Sequence, residues 1–264
     1  MSDALPKIAL YSEVSAYQQE VLALSQQLQI EVSQQANLLL VRNEERWELL
    51  GKFKDAPKAP LSIDFIEGKN AWRKKNPGAG KQPIVQAMGI KHSQRPTILD
   101  CTAGLGRDAY IFASLGCKVW LTERNPIVAV LLKDALRRAQ QHPQTATLFQ
   151  ESMLFAGSTI LEAQKKLPKA PEVIYMDPMY PEPSSKRTAK VKKEMQLLRY
   201  LVKADEDSAL WLAIARKWAK KVVVKRPDWA DPIATDMSGS TQSKGHRFDI
   251  YLGRDSQSNN TEEL

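Results

Sequence analysis

Thr97-Ile-Leu-Asp-Cys-Thr-Ala-Gly-Leu-Gly-Arg-Asp108 begins with an apolar pair, Ile98-Leu99, that reads as a short buried strand. The stretch passes an acid, Asp100, turns through Gly104 and Gly106, and leads into a helix predicted from Asp108 to Leu115. The two glycines remove Cβ where a chain must turn sharply and where a ligand can approach the backbone. The helix behind them points unpaired N–H groups at that ligand. Gly116-Cys117 interrupts, and a second apolar segment, Val119 to Thr122, runs into Glu123. A β-turn-α-β unit with an acid at the tip of its second strand suits a nucleoside, because a carboxylate there can accept both ribose hydroxyls.

Gly104-Leu-Gly106-Arg-Asp-Ala109 with Glu123 downstream also satisfies the dinucleotide fingerprint. Asp100 leans the choice. A carboxylate beside the cradle repels a pyrophosphate, whereas it attracts a sulfonium and an ammonium group. Arg107 opposes the dipole of the helix it opens, so it is better explained by a carboxylate ligand, such as the methionine end of S-adenosylmethionine.

With 264 residues, 43% of them hydrophobic, the chain can bury a core for one large domain or one and a half. Its formal net charge of +8 points to a polyanionic partner. The first residues lack the basic and apolar regions of a signal peptide, and no apolar run is long enough to span a membrane, so a cytoplasmic protein is expected. Cys101 and Cys117 read as reduced structural thiols. His92, His142 and His246 show no ligand spacing, and no metal is expected.

Residues 1–66 read as a small N-terminal α/β module. Its expected elements are a strand at Lys7–Ser12, a helix at Ser15–Leu28 with a stripe of Val21, Leu22, Leu24 and Leu28, a hairpin turning at Asn43, and a strand at Leu61–Ile66. Residues 67–96 read as a basic linker and lead-in helix, in which Arg73, Lys74 and Lys75 beside Trp72 suit a nucleic-acid backbone. Residues 97–254 carry the core domain. After Glu123, Asn125 caps a long helix that begins at Pro126. A strand is expected at Thr145–Phe149, ending near Ser152, and then a helix at Thr159–Lys166. A fourth core strand follows at Val173–Met176, with helices at Met195–Val202 and Ala209–Ala219 and strands at Lys221–Lys225 and His246–Tyr251. Such alternation implies a mostly parallel sheet with helices on both faces. The polar tail 255–264 reads as disordered.

The fourth core strand runs into Asp177-Pro-Met-Tyr180. At the carboxyl edge of an open sheet this acid faces the crevice that the glycine loop lines. An exocyclic base amine attacks poorly because its lone pair is delocalised into the ring. A carboxylate at Asp177 and a carbonyl fixed by Pro178 can accept its N–H bonds and steer the lone pair, while Tyr180 offers a stacking face. The bland alternative is a proline turn that ends a strand.

This combination resembles class I S-adenosylmethionine-dependent methyltransferases of base amines, with Met179 departing from the second proline usual there. A closer resemblance covers most of the chain. Asp100 to Asp108, Glu123-Arg-Asn-Pro126, Asp177 to Tyr180, Val191 to Met195, Val222 to Pro227 and Lys244 to Tyr251 together are similar to the ribosomal RNA small subunit methyltransferase J family, the 16S rRNA guanine-N2 methyltransferases. The resemblance implies a Rossmann-like class I fold with a seven-stranded sheet whose last strand is antiparallel. It also implies S-adenosylmethionine contacts at Arg107 and Asp108, at Glu123 and Arg124, at Ser152 and Met153, and at Asp177. 16S rRNA or the small ribosomal subunit would be the partner. Lys186, Arg187, Lys190, Lys192 and Lys193 follow the amine-binding turn and suit RNA phosphates, as do Lys225, Arg226, Lys244 and Arg247 at sheet ends. The competing readings are a nucleotide-dependent oxidoreductase and a non-catalytic RNA-binding or assembly factor.

Overall fold

Strands this short cannot bury themselves singly, and in the computed structural model they pair into two sheets. The described residues are 7–54, 56–66, 82–180, 197–198, 200–202 and 205–254. The chain divides into two units, one of Met1–Ile63, Asn125–Ala135 and Met179–Ala204, the other of Asp64–Arg124, Leu136–Pro178 and Asp205–Leu264.

In the first unit β1 (Ile8–Tyr11) runs parallel to β2 (Leu38–Arg42), which returns antiparallel as β3 (Trp47–Gly51). Asn43 makes that turn because its Oδ1 accepts the N–H groups of Glu45 and Arg46. Helix α1 (Gln18–Leu28) follows one 3-10 turn, and of its expected stripe only Val21 is buried, with Leu22 51% exposed. A glutamine-rich helix of this length meets its sheet along one line, so its apolar face is narrower than its composition suggests. Arg42 is buried over the Tyr17 ring, 3.9 Å from its centroid, and bonds Glu20. The strand expected at 61–66 reduces to a single bridge between Leu49 and Leu61. Asp64, where the second unit begins, accepts the Ile66 N–H, a local turn that ends the extension.

The second unit holds the seven-stranded sheet. Its strands are β4 (Ile98–Asp100), β5 (Val119–Thr122), β6 (Met153–Gly157), β7 (Val173–Met176), β8 (Lys221–Pro227), β9 (Gly239–Ser243) and β10 (His246–Leu252), in the order β6-β5-β4-β7-β8-β10-β9. The five strands from β6 to β8 are parallel, and β10 is antiparallel to both its neighbours. Every residue of β4, β5 and β7 is buried, as strands covered on both faces require.

On one face Leu99, Ile174 and Val222 pack with α6 (Ile160–Lys166) and α7 (Ser208–Trp218). On the other, Tyr175 meets Phe112 of α3 (Arg107–Ser114) edge to face at 5.5 Å. Helix α2 (Pro83–Met88) precedes β4, and α4 (Pro126–Gln141) is capped as expected, with Asn125 Oδ1 accepting from Ile127 and Val128.

The structure corrects two strands. Thr145–Phe149 is not extended: α5 (Ala146–Ser152) occupies that stretch, and the third core strand begins only at Met153. Phe149 lies in an aromatic cluster with Phe65 and Tyr110, at 5.1 and 5.7 Å, and this burial overrides the weak strand preference of its neighbours. Strand β9, Gly-Ser-Thr-Gln-Ser, lies at the sheet edge and has no apolar residue to announce it.

Candidate active site

Parallel pairing brings the carboxyl ends of β4, β5 and β7 to one edge, and each ends on or just before an acid. Asp100 pairs with Leu121 and Tyr175, so Glu123 and Asp177 lie two residues further along their own strands. The glycine loop closes over this edge. Gly104 and Gly106 adopt positive φ of 53° and 69°, and the Gly104 N–H donates to Glu123 Oε2 at 2.8 Å. The Ala103 N–H donates to the Thr122 carbonyl, and Thr102 Oγ1 accepts the Asp177 N–H at 2.6 Å. One loop is thereby tied to both flanking strands.

Asp100 is 2% exposed, and its Oδ1 accepts the Thr102 N–H at 3.1 Å. Burial, with Asp108, Asp177 and Glu123 nearby, pushes its carboxyl well above the usual range. Lys225 answers part of this acidity. The register that pairs Met176 with Val224 brings it beside Asp177, and its Nζ donates to Asp177 Oδ2 at 2.7 Å. The same Nζ lies 3.6 Å from Asp108 Oδ2, which also accepts the Tyr175 hydroxyl at 2.8 Å. The Asp177 side chain is 36% exposed and Pro178 is buried beside it. Tyr180 is half-buried and belongs to the other unit.

An open cleft adjoins this edge. Cys101, Thr102, Arg124, Ser158, Thr159, Met176, Pro178 and Trp211 are among its lining residues. Ser158 and Thr159 were not picked out by sequence. Thr159-Ile-Leu-Glu162 has the capping-box pattern: Thr159 Oγ1 accepts the Glu162 N–H, and Glu162 Oε2 reaches back one residue past the cap to accept the Ser158 N–H. That box marks a strand-to-helix junction and was the available signal. The expected contacts at Ser152 and Met153 are placed elsewhere. Met153 is buried and pairs with Val119 where the parallel strands start, the end of β6 away from the acids, and Ser152 precedes it. Those two contacts rest on the family resemblance alone, in a segment with no distinctive pattern around the serine. Arg124 does border the cleft, where its guanidinium bonds Asp205 and Asp207, and Asp207 also accepts the Trp211 Nε1–H at 2.8 Å. Arg107 and Asp108 open α3 directly behind the glycines.

The basic residues expected to face phosphate divide sharply. Lys225 turns inward to Asp177. Arg247 bonds buried Asp249 and the carbonyls of Pro227, Asp228 and Ala230, while Arg226 donates to the Asp231 carbonyl. These three charges are spent on the fold: the register of β7 with β8 brings Asp177 to Lys225, and the end of β8 with the turn after it supplies carbonyls to Arg226 and Arg247. Lys244, exposed in the turn between β9 and β10, keeps its surface position. Arg73, Lys74, Lys75, Lys186, Arg187, Lys190, Lys192 and Lys193 lie outside the described residues.

Residues 23–253 match the family model described as "Putative SAM-dependent methyltransferase". The chain is 42% identical over 232 residues to a ribosomal RNA small subunit methyltransferase J of Serratia proteamaculans, covering 87% of this chain and 92% of that one. It is 44% identical over 220 residues to the protein of that name from Actinobacillus pleuropneumoniae serotype 5b, covering 82% and 86%. A solved SAM-dependent methyltransferase from Neisseria gonorrhoeae superposes with a TM-score of 0.66 at 27% identity, covering 94% of this chain and 98% of that one.

Proposed function

We propose that this chain, which belongs to the ribosomal RNA small subunit methyltransferase J family of SAM-dependent methyltransferases, methylates the exocyclic N2 amine of a guanine in 16S rRNA. The observation that carries this reading is Asp177: an acid held by Thr102 and Lys225 at the edge where the glycine loop closes.

The cleft's chemistry fits S-adenosylmethionine. Around buried Asp100 the carboxyls of Asp108, Asp177 and Glu123 outnumber the one ammonium of Lys225, and a sulfonium with an ammonium group offsets the excess. Gly104 leaves room for close approach, since a Cβ there would meet only the Thr102 carbonyl, at 3.8 Å. Asp100 and Arg107 would hold the charged methionine end and Glu123 the ribose. Arg124 and, in place of Ser152 and Met153, Ser158 and Thr159 would border the adenine. Bound there, the cofactor supplies an electrophilic methyl group.

The chain's own part is to present the amine. Asp177 accepts an N–H, the Pro178 carbonyl accepts a second, and the lone pair is left directed at the electrophile. The methylated amine, positively charged and acidic, loses its proton to water. A base inside folded rRNA must first be splayed out, and we place Tyr180 as its stacking face. Lys244 and the basic stretches around Arg73, Lys74, Lys75, Lys186, Arg187, Lys190, Lys192 and Lys193 would follow the phosphates.

Incubating the protein with labelled S-adenosylmethionine and 16S rRNA or small subunits, then digesting to nucleosides, should release N2-methylguanosine. Label in another nucleoside would reject the N2 assignment, and tight NAD binding without methyl transfer would return the oxidoreductase reading.

Asp100 gives a second check. Its folded pKa is raised, so the stability it contributes is present below its unfolded pKa and is lost as pH rises through the folded value. Asp100→Asn keeps an acceptor for the Thr102 N–H and removes that penalty. It should stabilise the cofactor-free protein near neutral pH by about 1 kcal/mol, roughly 2–4 °C in Tm, with the gain shrinking toward acid. The same change should weaken S-adenosylmethionine about tenfold, since it removes one charge-assisted contact. A lower Tm at neutral pH would show that the burial of Asp100 is already compensated.

A further inference from the structure

We infer that Lys225 is the positioning residue of the methyl transfer: it fixes which oxygen of Asp177 faces the target amine. The inference deepens the role proposed for Asp177 and rests on it.

An amine acceptor has two requirements that an acid at a sheet edge does not meet unaided. The carboxylate must not rotate freely, and it must not carry a proton, because a protonated oxygen donates where it should accept. Lys225 addresses both. Its Nζ donates to Oδ2 of Asp177 at 2.7 Å, while the Asp177 backbone N–H is tied to Thr102. With Oδ2 occupied and the main chain held, Oδ1 is left as the acceptor for an incoming N–H. Lys225 itself is carried on β8, fixed by the pairing of Val224 with Met176, so its reach to Asp177 is set by strand register.

The charges around Asp177 make the ammonium necessary. Its carboxyl is raised above the ordinary value: partial burial, with Asp108 on α3, outweighs the opposing Lys225 on β8 and His246 on β10, so without Lys225 it would rise further. Asp100 on β4 and the Tyr175 hydroxyl on β7 belong to the same acidic group, in which Asp108 holds both Tyr175 and Lys225. Lys225 is the lysine that bonds Asp177 here, and its own ammonium is held in the charged form by Asp177 and Asp108 against the cost of burial. A phosphate contact would need this ammonium turned outward. Here it is directed at two carboxylates.

Three variants separate charge from hydrogen bonding. Lys225→Met removes both, Lys225→Gln keeps a donor without charge, and Lys225→Arg keeps the charge. Single-turnover methyl transfer to 16S rRNA would be measured across pH, with S-adenosylmethionine affinity followed by calorimetry and RNA affinity followed against salt. Losing one charge-assisted bond should move the acid limb of the rate profile upward by about one to two pH units in Lys225→Met and Lys225→Gln. Lys225→Arg should return the limb toward its native place. The slope of log K for RNA against log salt should not change. If Lys225→Met does not fold, the comparison of Gln with Arg decides the matter alone. A Gln profile superimposable on the native one overturns the inference, as does a salt slope reduced by about one with an unmoved limb, which would make Lys225 a phosphate contact. Asp177→Ala keeps the two ideas apart. Near-native turnover by that variant rejects the role of Asp177 itself, whereas its loss alongside a native Lys225→Gln profile rejects only the role of Lys225.

Discussion

Asp177→Ala is expected to lower single-turnover methyl transfer about a hundred- to a thousandfold, the usual effect of removing one preorganised electrostatic contact. S-adenosylmethionine affinity should largely survive, because the acids placed around the cofactor's charged end and ribose, Asp100 and Glu123, are untouched. The chemistry needs an oxygen acceptor at this position and not a strong base, since the amine can lose its proton after the methyl group has moved. Asp177→Asn should therefore fall between Ala and native. It keeps one acceptor oxygen, but its NH₂ would face either the amine or Lys225, and both are donors. The Ala variant also leaves Lys225 with Asp108 as its remaining carboxylate neighbour, 3.6 Å away, so folding must be checked alongside rate. Near-native turnover by Asp177→Ala would leave the Pro178 carbonyl and Tyr180 to account for the chemistry.

Glu123→Ala should weaken S-adenosylmethionine by about 1–3 kcal/mol, roughly five- to a hundred-and-fiftyfold in Kd, measurable by calorimetry. Two losses contribute. The acceptor for the ribose hydroxyls disappears, and so does the partner of the Gly104 N–H, which holds the glycine loop in place. Glu123→Gln separates them, because an amide oxygen can still receive the Gly104 N–H. A Gln variant that binds like native would mean that Glu123 serves the loop and not the ribose. An Ala variant with unchanged affinity would remove Glu123 from the site.

Legibility followed burial. Ile98-Leu99, Val119 to Thr122, Val173 to Met176 and the valines at 222–224 are apolar runs that had to be inner strands, and the acids that follow them fall at one edge by geometry. Edge elements gave weaker signals. Gly239–Ser243 is polar because one side of it needs no cover, and Met153–Gly157 was masked by the more strand-like Thr145–Phe149 just before it. Ser152 and Met153, carried over from the family resemblance, fall at the start of that strand, whereas Thr159, with a capping pattern legible in sequence, falls at its other end. Charge was the least legible property. A sequence shows that Arg247 is cationic, but only the pairing of β10 with β8 shows three carbonyls converging on it.

The first unit is also discontinuous in the order of synthesis. Its sheet is made early, yet the Trp47 N–H is bonded to Asp134, and the Phe53 ring packs against Tyr200, 4.6 Å between centroids. A ribosome delivers β4 and β5 before Asp134, and β6 and β7 before Tyr200. The unit begun first is thus completed only after four of the other unit's seven strands have been made, and its early strands wait through much of translation without all their partners. A nascent chain released after residue 66 would hold a hairpin and a helix but not a finished unit. The stretch that completes it, Met179–Ala204, starts directly after Asp177-Pro178. The acceptor turn is consequently also the point where the growing chain leaves one folding unit to close the other.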